Sequence, residues 1–173
     1  MSLTTVQNGM LTTDPTNASN LSSGTVPYAR QPTGSVLQVV TTSTTTVTGT
    51  TSGTYTNTTL TLSITPKFST SKVLVLVSGT LQAQADNRTA GALGITRNGT
   101  LIFDDQRAID NGVNANVAMA TRSNITYLDS PASTSAQTYY VQVARSVTAG
   151  TSYAVNFPTS SSVATITLME IAG

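Results

Sequence analysis

Short runs in which apolar residues alternate with threonine or serine recur from Ser35 to the C-terminus. The clearest run is Thr58 to Thr65, where Leu60, Leu62 and Ile64 alternate with hydroxyl-bearing side chains. A period of two places one set of side chains on a buried face and the other set on a face in contact with water. No window of helical length keeps its apolar residues at helical spacing. The sequence therefore predicts an all-β protein.

Turn residues divide the sequence into strands. The strands are expected at Ser35 to Thr42, Thr44 to Thr48, Thr58 to Thr65, Lys72 to Gln84, Leu93 to Arg97, Thr100 to Asp104, Ala115 to Leu128, Gln137 to Val147, Ser152 to Phe157 and Val163 to Ile171. Asn98-Gly99 predicts a tight hairpin, because both residues tolerate positive φ. The run Val73 to Val77 is apolar throughout and predicts a strand covered on both faces. Asp105 to Val113 leaves room for one short helical turn.

These strands are joined by loops of uneven length, which favours a jelly-roll-like antiparallel β-sandwich over residues 35–173. Residues 1–34 differ from the rest, since they are rich in proline and glycine and their apolar residues follow neither period. We expect this segment to be an extended N-terminal arm that binds a partner. The apolar side chains of the arm that are expected to contact the partner are Leu3, Val6, Met10, Leu11, Leu21, Val26, Pro27 and Tyr28.

The composition leaves little for catalysis. Histidine, cysteine and tryptophan are absent, and charged residues make up 9% of the chain. A serine triad therefore lacks its base, and a zinc or copper site lacks its usual ligands. Carboxylates that could flank a glycosidic bond are present, but aromatic platforms for sugar rings are sparse. We expect no enzymatic activity, no cofactor and no metal, and leave open whether a Ca²⁺ ion lies near Asp104, Asp105 and Asp110.

The charges also limit the classes of partner. The eight basic residues are scattered singly along the chain, among seven acidic residues. Nucleic-acid binding depends on clustered Lys and Arg, and a membrane span needs about 20 consecutive apolar residues. The sequence has neither feature, and its N-terminus lacks the basic and apolar regions of a secretory signal. We therefore expect neither a nucleic-acid partner nor a membrane partner.

Two parts of the sequence resemble a known class of proteins. Residues 21–30, LSSGTVPYAR, followed by residues 34–40, GSVLQVV, resemble a junction in tailed-bacteriophage fibre and virion-surface proteins that leads into a terminal β domain. Residues 62–66, LSITP, and 69–75, STSKVLV, are similar to two strands of the same domain. The resemblance spans residues 21–77. It implies a homotrimeric structural protein that is made in the host cytoplasm and displayed on the exterior of the virion.

Two positions on the virion remain open. A tail fibre needs a docking domain and a long shaft, but only the 34 residues of the arm precede the sandwich and they carry no heptads. This favours a capsid decoration or cement protein whose arm binds the major capsid protein and stabilises the head. The alternative is a short tail-fibre or receptor-binding protein that docks on a tail protein. Its exposed loops, such as Asp86 to Gly91 or Asp105 to Asn114, would then contact a glycan on the host surface.

Overall fold

A computed structural model describes residues 27–85, 88–111, 117–149 and 153–173. A single turn of 3-10 helix at Tyr28–Arg30 precedes the strands. The strands are β1 (Val36–Thr44), β2 (Thr48–Thr50), β3 (Thr56–Ile64), β4 (Lys72–Ala85), β5 (Arg88–Arg97), β6 (Thr100–Asn111), β7 (Val117–Asp129), β8 (Gln137–Ala149), β9 (Tyr153–Phe157) and β10 (Ala164–Ile171). The described residues include no α-helix, and the all-β prediction is confirmed.

The first sheet is organised around β4. Its strands are connected in the order β1-β10-β4-β9-β2, in which β10 and β9 both pair with the same edge of β4. β7 pairs with the opposite edge of β4. β10 and β9 lie end to end on one edge of β4, where they pair with Lys72–Ser78 and Gln82–Ala85. Between these two stretches, the Thr159 N–H donates to the Thr80 carbonyl oxygen at 3.1 Å. β1 and β2 pair in turn with β10 and β9, so the six strands occupy four positions.

The second sheet has the order β3-β8-β5-β6, and all its pairs are antiparallel. β1 and β2 can be counted as one interrupted strand, and so can β9 and β10. If the resulting eight strands are numbered in chain order, the first sheet has the order 1-8-3-6 and the second sheet has the order 2-7-4-5. This order is that of a jelly roll, a double-sheet sandwich built from two Greek keys. The predicted jelly-roll-like sandwich is therefore confirmed. Residues Thr33–Gly173 form one compact unit.

The core between the sheets is built from alternate residues of each strand. β10 buries every second side chain from Ala164 onward, and β4 buries Val73, Val75 and Val77. The largest fully buried side chains are Tyr139 and Phe157. The Phe157 ring lies over Gly79, where an added Cβ would come within 2.5 Å of Phe157 Cζ. The core is therefore close-packed at a point where β4 has no side chain.

The structure corrects two sequence predictions about the region after β4. Asp105–Asn111 is the second half of β6 rather than a loop with a helical turn, and Arg88–Gly91 is the first part of β5. β6 is an edge strand, and its residues from Asp104 to Arg107 are exposed on both faces. A strand that is polar on both faces has no alternation, so its sequence does not reveal it. Asp86, Asn87 and residues 112–116 lie outside the described residues.

The prediction that the strand through Val73–Val77 is covered on both faces is wrong for a single copy of the chain. Val73, Val75 and Val77 are buried in the core. Leu74 and Leu76 point to the opposite face of the sheet and are only half-buried. One face of an apolar strand therefore remains in contact with water.

The hairpin at Asn98-Gly99 is confirmed, with φ of 50° and 86° at the two residues. We expect Gly99→Val to lower the free energy of unfolding by about 2 kcal/mol, because a β-branched residue is strained at positive φ. Gly99→Asn is the control and should cost less, since asparagine tolerates this conformation. Urea unfolding followed by circular dichroism measures both changes. Equal stabilities of the two variants would contradict the prediction.

Candidate interaction surfaces

Two carboxylates lie inside the sandwich, in the same cross-strand row. Glu170 on β10 and Asp129 on β7 both pair with Val73 of β4, one on each side. Glu170 is 0% exposed and Asp129 is 5% exposed. A buried carboxylate is costly unless hydrogen bonds or opposite charges compensate for its lost hydration. Asp129 has such partners on the second sheet, and Glu170 has them on β1 and in the loop that follows β3.

Asp129 joins the two sheets through Arg97 and Tyr139. Arg97 Nη1 donates to both carboxylate oxygens, at 2.7 and 2.6 Å, and the Tyr139 hydroxyl donates to Oδ2 at 2.7 Å. Arg97 and Tyr139 are a register pair on β5 and β8. Burial, and then the hydrogen bond to Asp129, raise the pKa of Tyr139. The hydrogen bond to Asp129 raises the pKa of Arg97. The three side chains therefore form a structural bridge.

Glu170 holds the loop that follows β3. Its Oε1 accepts a hydrogen bond from the Lys67 N–H at 2.6 Å, and its Oε2 accepts one from Gln38 Nε2 at 2.6 Å. Gln38 Nε2 also donates to the Thr65 carbonyl oxygen at 2.7 Å. Glu170 occupies an inward position in the alternating run Ala164–Ile171. Its position in that run is the sequence signal that could have identified it as buried.

A third cluster lies on the outer face of the second sheet. The Tyr55 ring packs over Gly94, where an added Cβ would come within 3.0 Å of Tyr55 Cε1. The Tyr55 hydroxyl donates a short hydrogen bond to Asp104, which also accepts one from Gln106 Nε2 at 2.8 Å. Burial, followed by the hydrogen bond to Asp104 and the charges of Asp104 and Asp105, raises the pKa of Tyr55. These contacts attach the segment before β3 to the sheet.

Each of the three aspartates near which the sequence leaves a Ca²⁺ ion open is bonded to other groups of the protein. Asp104 accepts from Tyr55 and Gln106, whereas Asp105 accepts from the Arg107 N–H at 3.3 Å. Asp110 forms an ion pair with Arg107 at 3.4 Å. Within the part of the chain that the structure describes, no three carboxylates come close enough together to hold a metal ion.

Two concave features of the described part of the chain are small. A groove of about 250 Å³ lies beside Tyr55 and Arg145, and a depression of about 190 Å³ lies on the outer face of the first sheet beside Leu76 and Thr126. Pockets for small-molecule ligands usually measure about 300–1,000 Å³. Neither of these two features reaches that range.

The predicted arm contacts lie mostly outside the described residues. This applies to Leu3, Val6, Met10, Leu11, Leu21 and Val26. Pro27 is exposed, and its carbonyl oxygen accepts a hydrogen bond from the Arg30 N–H at 2.9 Å. Tyr28 follows in the 3-10 turn and is 46% exposed.

The neighbouring residues Tyr139 and Tyr140 on β8 point to opposite faces of their sheet, as strand alternation requires. Tyr139 is buried and Tyr140 is half-buried.

Comparisons with known proteins do not add an assignment. No protein-family model matches the sequence, and none of the curated proteins matches it. Among the described residues, no helix is long and apolar enough to cross a membrane.

The bridge through Asp129 can be tested by removing the carboxylate. We expect Asp129→Ala to lower the free energy of unfolding by about 3 kcal/mol, because it leaves the charge of Arg97 and the hydroxyl of Tyr139 without their partner. Asp110→Ala breaks the more exposed pair with Arg107 and should cost less than about 1 kcal/mol. Urea unfolding measures both values. A cost for Asp129→Ala no greater than that for Asp110→Ala would overturn the assignment of a stabilising bridge.

The raised pKa values of Tyr55 and Tyr139 predict instability in alkali. In each case the folded state favours the neutral hydroxyl. The resulting stability is fully present below the pKa of an unfolded tyrosine, about 10, and is lost as the pH rises from there through the folded-state pKa. We therefore expect the free energy of unfolding to fall above about pH 10, and to fall less steeply in the double variant Tyr55→Phe/Tyr139→Phe. Denaturant unfolding across this range measures the slope. The same slope in the double variant would show that Tyr55 and Tyr139 do not cause the loss of stability.

Proposed function

We propose that this protein is a non-enzymatic structural protein of a bacteriophage virion. In this proposal it is a trimeric capsid decoration or cement protein, exposed on the outside of the head. The sandwich is the displayed body, and the N-terminal arm binds the major capsid protein. The resemblance of residues 21–77 to virion-surface proteins supports this function.

The main structural support is the use that the fold makes of its polar groups. Asp129 lies in the interior and connects the two sheets. Glu170 also lies in the interior and fixes the loop after β3, and Asp104 fixes the segment around Tyr55. A catalytic site requires such groups to converge on a space where a substrate can bind. In the described part of the chain they serve instead to fasten a protein without cysteine. This use of charge suits a stable body that acts by adhesion.

A short tail fibre or receptor-binding protein is the second candidate. The resemblance of residues 21–77 and the sandwich fold are equally compatible with this function. The loops named for receptor contact are largely strand, since Arg88–Gly91 belongs to β5 and Asp105–Asn111 to β6. The remaining positions of those loops lie outside the described residues.

The arm can be tested on the virus particle. The triple variant Leu3→Asp/Val6→Asp/Met10→Asp should abolish binding to heads that lack the protein, because it places charges where apolar contacts are proposed. The control Thr4→Asp/Thr5→Asp/Asn8→Asp adds the same charge at polar positions and should bind. Sedimentation of heads with the labelled full chain measures binding. Equal binding of the two variants would refute the proposed role of the arm.

The position on the virion has its own test. Many copies on the head, together with heads that resist heat less well when the protein is missing, are expected for a cement protein. Host adsorption should remain unchanged in such particles. A few copies confined to the tail, with adsorption lost and head stability intact, would assign the protein to the tail instead. Electron microscopy of labelled particles distinguishes the two positions.

A further inference from the structure

The outer face of the first sheet carries a row of apolar side chains that crosses all four strand positions. Val39 on β1 is paired with Met169 on β10, Met169 with Leu74 on β4, and Leu74 with Leu128 on β7. Val39 is 51% exposed and Leu128 is 48% exposed, whereas Met169 and Leu74 are half-buried. Residues in one cross-strand row on one face touch their neighbours. The row is therefore one continuous apolar strip.

The strip widens on both sides. On one side, Val36 is paired with Ile171, and Val36 is 51% exposed. On the other side, Leu76 lies between Thr167 and Thr126 in the next row. Leu76, Thr126 and Thr167 also line the depression of about 190 Å³. The strip and its margin form a surface with a shallow recess, which we call the β4 outer face.

The rest of this face is nearly free of charge. Among the outward-pointing residues of the described strands of this sheet, the charged side chains are Lys72 and Arg122. Lys72 lies at one end of β4, and Arg122 donates to Ser78 Oγ at 3.1 Å. The remaining positions are mostly apolar residues, Ser, Thr, Asn and Gln. A hydroxyl both donates and accepts, so such a face can form hydrogen bonds with polar side chains of another copy.

The second sheet differs on its outer face. Gln142 Nε2 donates there to Asn57 Oδ1 at 2.7 Å, and Ser63 and Thr138 share a hydrogen bond at 2.8 Å. Polar side chains thus satisfy one another on that sheet. An exposed apolar strip that crosses a whole sheet marks an interaction surface.

We propose that the β4 outer face is the contact between copies of this chain. The sequence of β4 supports this proposal, because Val73–Val77 is apolar on both faces and a single copy fully buries only one of them. A second copy would supply the missing cover. The nearly neutral face requires no partner of opposite charge, and apolar cores with few charges are typical of homo-oligomer interfaces.

The size of the face also fits. The β4 outer face is the apolar part of a larger surface, since four strand positions at about 4.8 Å and a strand of 13 residues at about 3.3 Å give the first sheet an outer surface of about 800 Å². A stable interface buries about 800 Å² of each partner. This inference depends on the self-association included in the proposed function, and it names the surface. It does not depend on whether the assembly lies on the head or on the tail.

The test uses the purified full chain without any virus particle. We expect the wild type to be an oligomer in light scattering and sedimentation, and Val39→Asp/Leu128→Asp to raise the dissociation constant by at least about 100-fold, because it buries charges in the strip. The control Val47→Asp/Val163→Asp adds the same charge at positions that are 41% and 48% exposed. The control should remain an oligomer.

Circular dichroism must show both double variants folded. If Val39→Asp/Leu128→Asp does not fold, the milder variant Val39→Thr/Leu128→Thr replaces it, because threonine is β-branched and is already present on this face. This variant should still weaken association relative to the wild type. A wild type that is monomeric at all accessible concentrations would overturn the proposal, as would an oligomer that neither variant of the strip weakens. A monomer whose strip variant loses only binding to heads would assign the face to the capsid and also overturn it. Failure of the arm variants to affect binding to heads would count against the proposed function and leave this result unchanged.

Discussion

The fold depends on the position of β4 at the centre of the first sheet. β4 is 14 residues long, pairs with β7 along one edge, and pairs with β10 and β9 in succession along the other. Its inward residues Val73, Val75 and Val77 meet the second sheet in the core. A strand that supports three neighbours tolerates few changes in register, because a shift by one residue would exchange its buried and outward faces. The jelly-roll order of the other strands follows from this central pairing.

The buried carboxylates stabilise the same end of the sandwich. Glu170 and Asp129 flank Val73, and each reaches residues of the second sheet or of the loop that follows β3. Removing one member of such a network leaves the others buried without a partner, so the network penalises arrangements in which the sheets are misaligned. In a chain without cysteine, this network takes the role that disulfides play in many small extracellular domains.

The sequence predicts the strands well where one face of the strand is buried and the other is in contact with water. The alternation of Thr58–Thr65 and the turn at Asn98-Gly99 are both found in the structure. The second half of β6 is not evident from the sequence because its polar residues Asp105–Arg107 are exposed on both faces. The breaks between β1 and β2 and between β9 and β10 follow from tertiary pairing. The bridges of Asp129 and Glu170 could not be predicted in full. Gln38 and Glu170 are 132 residues apart, and only the fold brings them together.

The two faces of β4 connect the fold to the proposed assembly. Burial of Val73, Val75 and Val77 stabilises the single chain, whereas Leu74 and Leu76 gain full burial only from a partner. The same apolar run would therefore contribute twice, first to folding and then to association. Because the β4 outer face is nearly neutral, such an association would depend weakly on salt, unlike contacts between charged surfaces. Such an interface would suit a structural protein whose assembly has to persist when the salt concentration of its surroundings changes.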